Sequence, residues 1–241
     1  MRIRIFFTLT IVLSLLGISS IFVKNSWTAS GTISSVPTTQ KVVAITIDDG
    51  PHNKTTPEIL AVLKEKKVHA TFFILGENGE SNPGLIAREN AEGHEISSHG
   101  YSHKHLTKLS KDQIKEELER TENLIRQYAP KPLLFRPPGG LYNQDVLEVV
   151  RNRGYSTILW TVDPHDWARP TVKETVDRVM SQVKPGSIIL LHDGQYPLPT
   201  PKALGIIIDR LKEEGYEMVT ISELFQYYEV RTSHFWDFVF D

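Results

Sequence analysis

From Lys41 onward, short runs rich in β-branched and aromatic residues alternate with stretches whose apolar positions recur every three or four residues. The first kind reads as strand and the second as helix, and their alternation reads as βαβ units around a parallel sheet. Val42 to Ile47 is the first strand; the helix after it is expected to be capped by Thr55 or Thr56, opened by Pro57 and buried through Ile59, Leu60 and Leu63. Ala70 to Leu75 is the second strand, Asn82-Pro83 starts a helix that Gly93 ends, and Glu95 to Ser98 is the third strand. Ser110 with Gln113 forms a capping box for a long helix whose Ile114, Leu118, Leu124, Ile125 and Tyr128 make the buried stripe. Leu133 to Phe135, Tyr155 to Val162, Ser187 to Leu191 and Glu217 to Thr220 complete the strands. The later helices are one capped by Asn143 that runs to Arg153, then Thr171 to Val183, Pro201 to Glu214 and Ser222 to Tyr228. Seven such units in about 200 residues fit an α/β barrel, complete or incomplete, with its sites at the strand C-termini.

The two ends break this pattern. Arg2 and Arg4 precede an uncharged run from Ile5 to Val23, and Lys24 closes it, so residues 1–24 read as a signal peptide or a membrane anchor. A bilayer core needs about 20 apolar residues, and this run is close to that limit. Residues 25–40 hold eight Ser or Thr without apolar periodicity and read as an extracytoplasmic linker. The catalytic-size domain is then 41–230, and 231–241 is an aromatic-rich tail expected to pack on it. A net charge of −2 leaves no basic footprint for nucleic acid. With no cysteine there are no disulfides, thiolate metal sites or cysteine nucleophiles, and any metal must be held by His, Asp or Glu.

The unusual polar residues sit directly after the strands. Asp48 and Asp49 follow the first, His99 and His103 the third, Arg136 the fourth, Asp163 and Asp166 the fifth, and His192 and Asp193 the sixth. In a parallel barrel these positions share one end. Alone, the Asp pair is as well read as a cap on the turn at Gly50-Pro51. Two imidazoles four residues apart, placed on one helical turn, face the same way, a spacing suited to zinc. Without cysteine the natural third ligand is a carboxylate, giving an open site of catalytic rather than structural character. His52, His69, His94, His105, His165 and His234 read as ordinary surface or core histidines.

Thr46-Ile47-Asp48-Asp49-Gly50-Pro51, His99-Gly100-Tyr101-Ser102-His103, Arg136-Pro137-Pro138-Gly139-Gly140, Asp163-Pro164-His165-Asp166-Trp167 and Leu190-Leu191-His192-Asp193 together resemble, in order, the five motifs of the polysaccharide deacetylases, carbohydrate esterase family 4 or the NodB-homology domain. The resemblance spans Val42 to about Tyr228. It implies a distorted (β/α) barrel of seven or eight units, a divalent metal that is usually zinc, and removal of acetyl groups from N-acetylated sugars; the export-type segment at 1–24 argues for a wall or extracellular polymer. By the same resemblance Asp49, His99 and His103 are expected to hold the metal, Asp48 to be the general base and His192 the general acid. Arg136 is expected to pair with the base and Asp166 to orient the histidine. Leu190 and Trp167 would line the pocket for the acetyl methyl and the sugar. The chain departs from the family at Gly139, where an aromatic residue is common and the backbone N–H serves the oxyanion, and at Ile47, which replaces a frequent Phe. The other readings are a hydrolase of the same fold acting on another C–N bond or an O-acetyl ester, and a glycan-binding wall protein without turnover.

Overall fold

Val42–Asp48 (β2) is a seven-residue strand with every residue buried, and the other strands are arranged about it. The computed structural model describes residues 31–229, of which Ile33–Glu229 forms one compact unit. The remaining strands are β1 (Thr32–Ile33), β3 (Thr71–Ile74), β4 (Glu95–Ser98), β5 (Leu134–Phe135), β6 (Ser156–Ile158), β7 (Ile188–His192) and β8 (Glu217–Val219). They form one eight-stranded sheet in the order β1-β6-β5-β4-β3-β2-β7, with β8 also pairing β2. All the neighbours of β2 are parallel to it. β8 lies beside its first half (Val42↔Glu217), β3 beside its second (Thr46↔Thr71), and β7 along most of its length (Ala44↔Ile188 to Asp48↔His192).

Among the described residues the ring closes on β7 through two isolated bridges, the parallel Val162↔Ile189, where Leu190 N donates to Val162 O at 2.9 Å, and the antiparallel Ser35↔Ser187. The result is a distorted (β/α) barrel with one weak seam. The seam exists because β6 is shorter than the apolar run Tyr155 to Val162 predicts. Past Ile158 the regular strand ends: Leu159 N still donates to Ile33 O of the neighbouring β1 at 2.7 Å, but Leu159 O accepts from the Arg136 side chain, Nη2, at 3.1 Å.

Strand side chains alternate, and the two faces differ in kind. Val43, Ile45 and Ile47 of β2, Phe72 and Ile74 of β3, and Ile189 and Leu191 of β7 join the main hydrophobic cluster. Against it pack α1 (Thr55–Lys66) and α7 (Thr200–Glu213), through Ile59, Leu60, Leu63, Leu204, Ile207 and Leu211, and α6 (Val172–Gln182). Fully burying each such side chain contributes about 1.5–3 kcal/mol. The alternate residues, Thr46 and Asp48, Phe73, His99, Arg136, Leu190 and His192, therefore turn to the barrel interior. A second cluster joins α4 (Lys111–Ile125) and α5 (Gln144–Asn152) to Phe135 and Tyr155.

Most predicted helices are present, and the capping box at Ser110 and Gln113 and the Asn143 cap form as expected. The short α2 (Gly76–Ser81), which precedes α3 (Pro83–Ala91), was not anticipated. Neither Thr55 nor Thr56 caps α1. Their hydroxyls donate instead to Gln195 O and to the Asp193 carboxylate, while His52 Nδ1 accepts from the N–H groups of Lys54 and Thr55. The last helix, α8, is a single turn, Ile221–Leu224, followed by a tighter turn to Tyr227.

Part of the segment expected as linker is packed on the barrel: Ile33 and Val36 are buried, and Val36 N donates to Gly186 O. The signal or anchor expected at 1–24 and the tail at 231–241 lie outside the described residues. Among the described residues no helix is long and apolar enough to cross a membrane.

Candidate active site

The C-terminal ends of β2, β4, β5 and β7, with the loop after β6, bring the expected residues to one end of the barrel. Asp48, the last residue of β2, is buried, and its Oδ1 accepts from Arg136 Nη1 at 2.6 Å. Arg136 is fully buried. The same Nη1 also meets Thr46 Oγ1 at 2.8 Å, and the guanidinium lies 4.2 Å from the Phe73 ring centroid. Each partner neutralises a charge that burial alone would make costly.

Asp49 ends the strand with φ 74, and its carboxylate reaches the same His99 ring that the Asp48 carboxylate approaches, Asp48 Oδ2 lying 3.9 Å from His99 Nδ1. Its Oδ1 is 3.3 Å from both His99 Nε2 and His103 Nε2. The two imidazoles do not converge on a helical turn as their spacing suggests. The chain there is an irregular bend, in which Gly100 (φ 79) and His103 (φ 55) adopt left-handed conformations and bring the ring centroids to 5.3 Å. His99 Nδ1 is 2.9 Å from Arg136 O, and because a carbonyl only accepts, that nitrogen carries a proton, while Nε2 faces Asp49.

Asp49, His99 and His103 form the group suited to a cation among the described residues, with one donor atom from each lying within 4.8 Å of the others. The chemistry fits. Asp49 Oδ1 is buried without a hydrogen-bond partner, and the Nε2 atoms of both imidazoles converge on it. Burial raises the Asp49 pKa, but the contacts with His103 and His99 outweigh it and hold the carboxyl well below the usual range.

Across from this cluster His192 closes β7. Its Nδ1 is 2.7 Å from Asp166 Oδ1, and its backbone N–H donates to Asp166 Oδ2 at 2.9 Å. Thr200 Oγ1 donates to the same Oδ2 at 2.6 Å, so the fully buried Asp166 is held from three sides. Burial opposes a charged His192. The hydrogen bond and charge of Asp166, with the charges of Asp48 and Asp49, prevail and push its pKa up to about 9.

Leu190 is buried on the same strand face as His192. Trp167 is half exposed, in the turn after Asp166. Gly139 is exposed with φ 62 in the turn after Arg136; that turn's backbone bonds, Gly140 N to Pro137 O and Leu141 N to Pro138 O, do not use the Gly139 N–H.

Two supporting residues gain a role only from the tertiary structure. Asp193 is fully buried against Gly50, where a Cβ would lie 2.2 Å from its Oδ1, and its N–H donates to Asp48 O at 3.0 Å. Burial pushes Asp193 up to about 7, against the hydrogen bond from Thr56. Glu117 of α4 accepts from Tyr101 N and Ser102 N. Its signal in the sequence is its place in the apolar stripe, between Ile114 and Thr121.

The polysaccharide deacetylase family profile matches residues 35–158. A peptidoglycan-N-acetylglucosamine deacetylase of Bacillus cereus is 40% identical over 195 residues, covering 80% of this chain and 92% of that protein. The chain belongs to the polysaccharide deacetylase family. A chitooligosaccharide deacetylase of Bradyrhizobium is 36% identical over 76% of this chain and 90% of its own length. Among solved structures, a peptidoglycan N-acetylglucosamine deacetylase in complex with a naphthalenyl N-oxidanyl-benzamide superposes with a TM-score of 0.80 at 35% identity, covering 86% of this chain and 98% of that one. Another polysaccharide deacetylase-fold neighbour is a carbohydrate esterase family 4 pseudoenzyme from Bacillus anthracis, with a TM-score of 0.77 at 33% identity, covering 83% and 70%.

Proposed function

We propose that the chain is a metal-dependent hydrolase that removes acetyl groups from an N-acetylated wall glycan, peptidoglycan or a chitin-like N-acetylglucosamine polymer, releasing acetate. One observation carries this reading: the Asp49, His99 and His103 cluster is flanked by two separate buried couples, Asp48 with Arg136 and His192 with Asp166. A binding protein needs neither couple. Asp49, His99 and His103 would hold the divalent cation, with zinc favoured by two imidazoles and one carboxylate that leave coordination positions open. When bound, the cation supplies Lewis acidity toward the amide carbonyl and lowers the pKa of a water to about 7.

The chain's own groups account for the proton movements. Asp48, paired with Arg136, takes a proton from the water that adds to the acetyl carbon. The C–N bond then breaks, and protonated His192, oriented by Asp166, gives its proton to the departing amine. The Gly139 N–H is available to the developing oxyanion, where one such donor is commonly worth about 3 kcal/mol. Leu190 offers an apolar floor for the methyl group and Trp167 an exposed ring for a sugar. Four of the six exposed large hydrophobics among the described residues, Leu141, Tyr142, Trp167 and Tyr196, lie in loops that follow strand C-termini, as a glycan platform would. Substrates of this kind place the enzyme outside the cytoplasm, secreted or anchored through residues 1–24.

Acetate release from N-acetylglucosamine oligomers and from peptidoglycan, with zinc added, tests the reading. Asp48→Asn preserves an acceptor for Arg136, so it should keep stoichiometric zinc while acetate release falls by a factor of about 100 to 10,000. His103→Ala should lose zinc by elemental analysis. Because one fold neighbour is a pseudoenzyme, the competing reading is a glycan binder without turnover. Binding of oligomers with no acetate from the zinc-loaded wild type would select it.

A further inference from the structure

We propose that Glu117 is a positioning residue for the metal site, the template on which the loop carrying His103 is folded. The inference deepens the reading above and rests on it. His103 has φ 55, and a non-glycine residue keeps that backbone only where its surroundings over-determine it. The surroundings here do so. Glu117 Oε2 accepts from the successive N–H groups of Tyr101 at 2.9 Å and Ser102 at 2.8 Å, and Oε1 accepts from Ser102 Oγ at 2.6 Å. On the other side Gly76 N and Glu77 N donate to the carbonyls of Gly100 and Tyr101, each at 3.0 Å. A Cβ on Gly76 would come within 2.4 Å of the Tyr101 ring, so the close seat of the loop on α2 requires glycine there. Tyr101 is held further by the Arg120 guanidinium, 3.4 Å from its ring centroid, and by its hydroxyl bond to Glu80 at 2.8 Å.

Glu117 is itself buried on the inner face of α4, between Ile114 and Thr121, and among the described residues it has no cationic partner. Packing alone is served better at such a position by an apolar side chain, because burying a carboxylate is costly. What only an acceptor can do there is gather two consecutive amides and a hydroxyl, and so fix where the next residue, His103, directs its imidazole. Groups that hold a metal ligand from behind typically change metal affinity about 10–100-fold when removed.

The test uses the full chain and zinc, with affinity measured by chelator competition and folding checked by circular dichroism and thermal melting. Glu117→Ala is expected to raise the zinc Kd about 10–100-fold, with kcat/KM recovering as zinc is increased. Glu117→Gln keeps one oxygen for the two amides and is expected to bind zinc nearly as the wild type does. If Glu117→Ala melts earlier yet binds zinc with unchanged affinity, the role is structural only and the proposal fails. A Gln variant as impaired as the Ala variant overturns it too. Should Glu117→Ala not fold, Ser102→Ala decides: a weakened zinc Kd supports the template, and an unchanged one refutes it. A wild type that binds no zinc would instead overturn the assignment of Asp49, His99 and His103 beneath it.

Discussion

Asp48 and Asp49 are neighbours in the chain, and both serve one site, Asp48 against a buried guanidinium and Asp49 against two imidazoles, because the left-handed φ at Asp49 breaks the strand alternation that would turn it to the opposite face. Removing the guanidinium should be far more damaging than neutralising its partner. Arg136→Leu leaves the Asp48 carboxylate buried and unpaired, a loss typically worth about 3–5 kcal/mol, so denaturant midpoint and acetate release should fall together. Asp48→Asn also strips the guanidinium of its counter-charge but keeps an oxygen acceptor for it, so it should lower the denaturant midpoint by less while acetate release falls. The His192 couple makes a prediction in pH. A general acid works while protonated, and with a pKa of about 9 His192 stays protonated through neutrality and fails as pH rises through that value. Asp166→Asn removes the main interactions that raise this pKa, so the alkaline limb of kcat should move to lower pH; an unmoved limb would mean that another group sets it. The residue types at these positions are readable from the sequence. Their directions are not, since spacing suggests a helical turn for His99 and His103 where the chain makes a glycine-assisted bend.

Among the elements, α3 carries the feature most at odds with its surroundings. Glu89 is fully buried, and neither carboxylate oxygen has a hydrogen-bond partner among the described residues. Burial, helped by the charge of Asp193, raises its pKa well above the ordinary 4.5. The folded state thus holds this proton more tightly than the unfolded chain. Its stabilising share is complete below pH 4.5 and is lost as pH climbs through the raised value. Glu89→Met should accordingly melt higher than the wild type, with the gap in Tm widening as pH increases from 4.5; a gap independent of pH would show that the carboxyl is not the cause. The existence and type of most elements follow from periodicity and caps, as the boxes at Ser110 and Thr171 illustrate. Exceptions occur where a distant group competes for the expected cap, as Asp193 and Gln195 do for the hydroxyls of Thr56 and Thr55.

For the molecule as a whole, the barrel is uneven in how firmly it is closed. β2 is hydrogen-bonded along both edges by β3, β7 and β8, whereas among the described residues the seam against β7 is held only by the isolated bridges Val162↔Ile189 and Ser35↔Ser187. Amide protons of Thr161 and Val162 should therefore exchange well before those of Ile45 to Ile47 in native-state hydrogen exchange, because opening the seam exposes far less apolar surface than opening the centre. Equal protection at both places would mean that the ring opens as one unit. The sequence by itself determined the alternation of strands and helices, the barrel class, and the placing of acids, histidines and an arginine after successive strands. These are properties of neighbouring residues, set by side-chain period and local hydrogen bonding. Only the tertiary structure decided the directions and distances at which those groups meet, that Glu117 turns inward to gather the His103 loop, and where the ring is weakest. Those outcomes depend on contacts such as Asp48 to Arg136, 88 positions apart, whose geometry is set by the packing of the elements between them and not by any local preference.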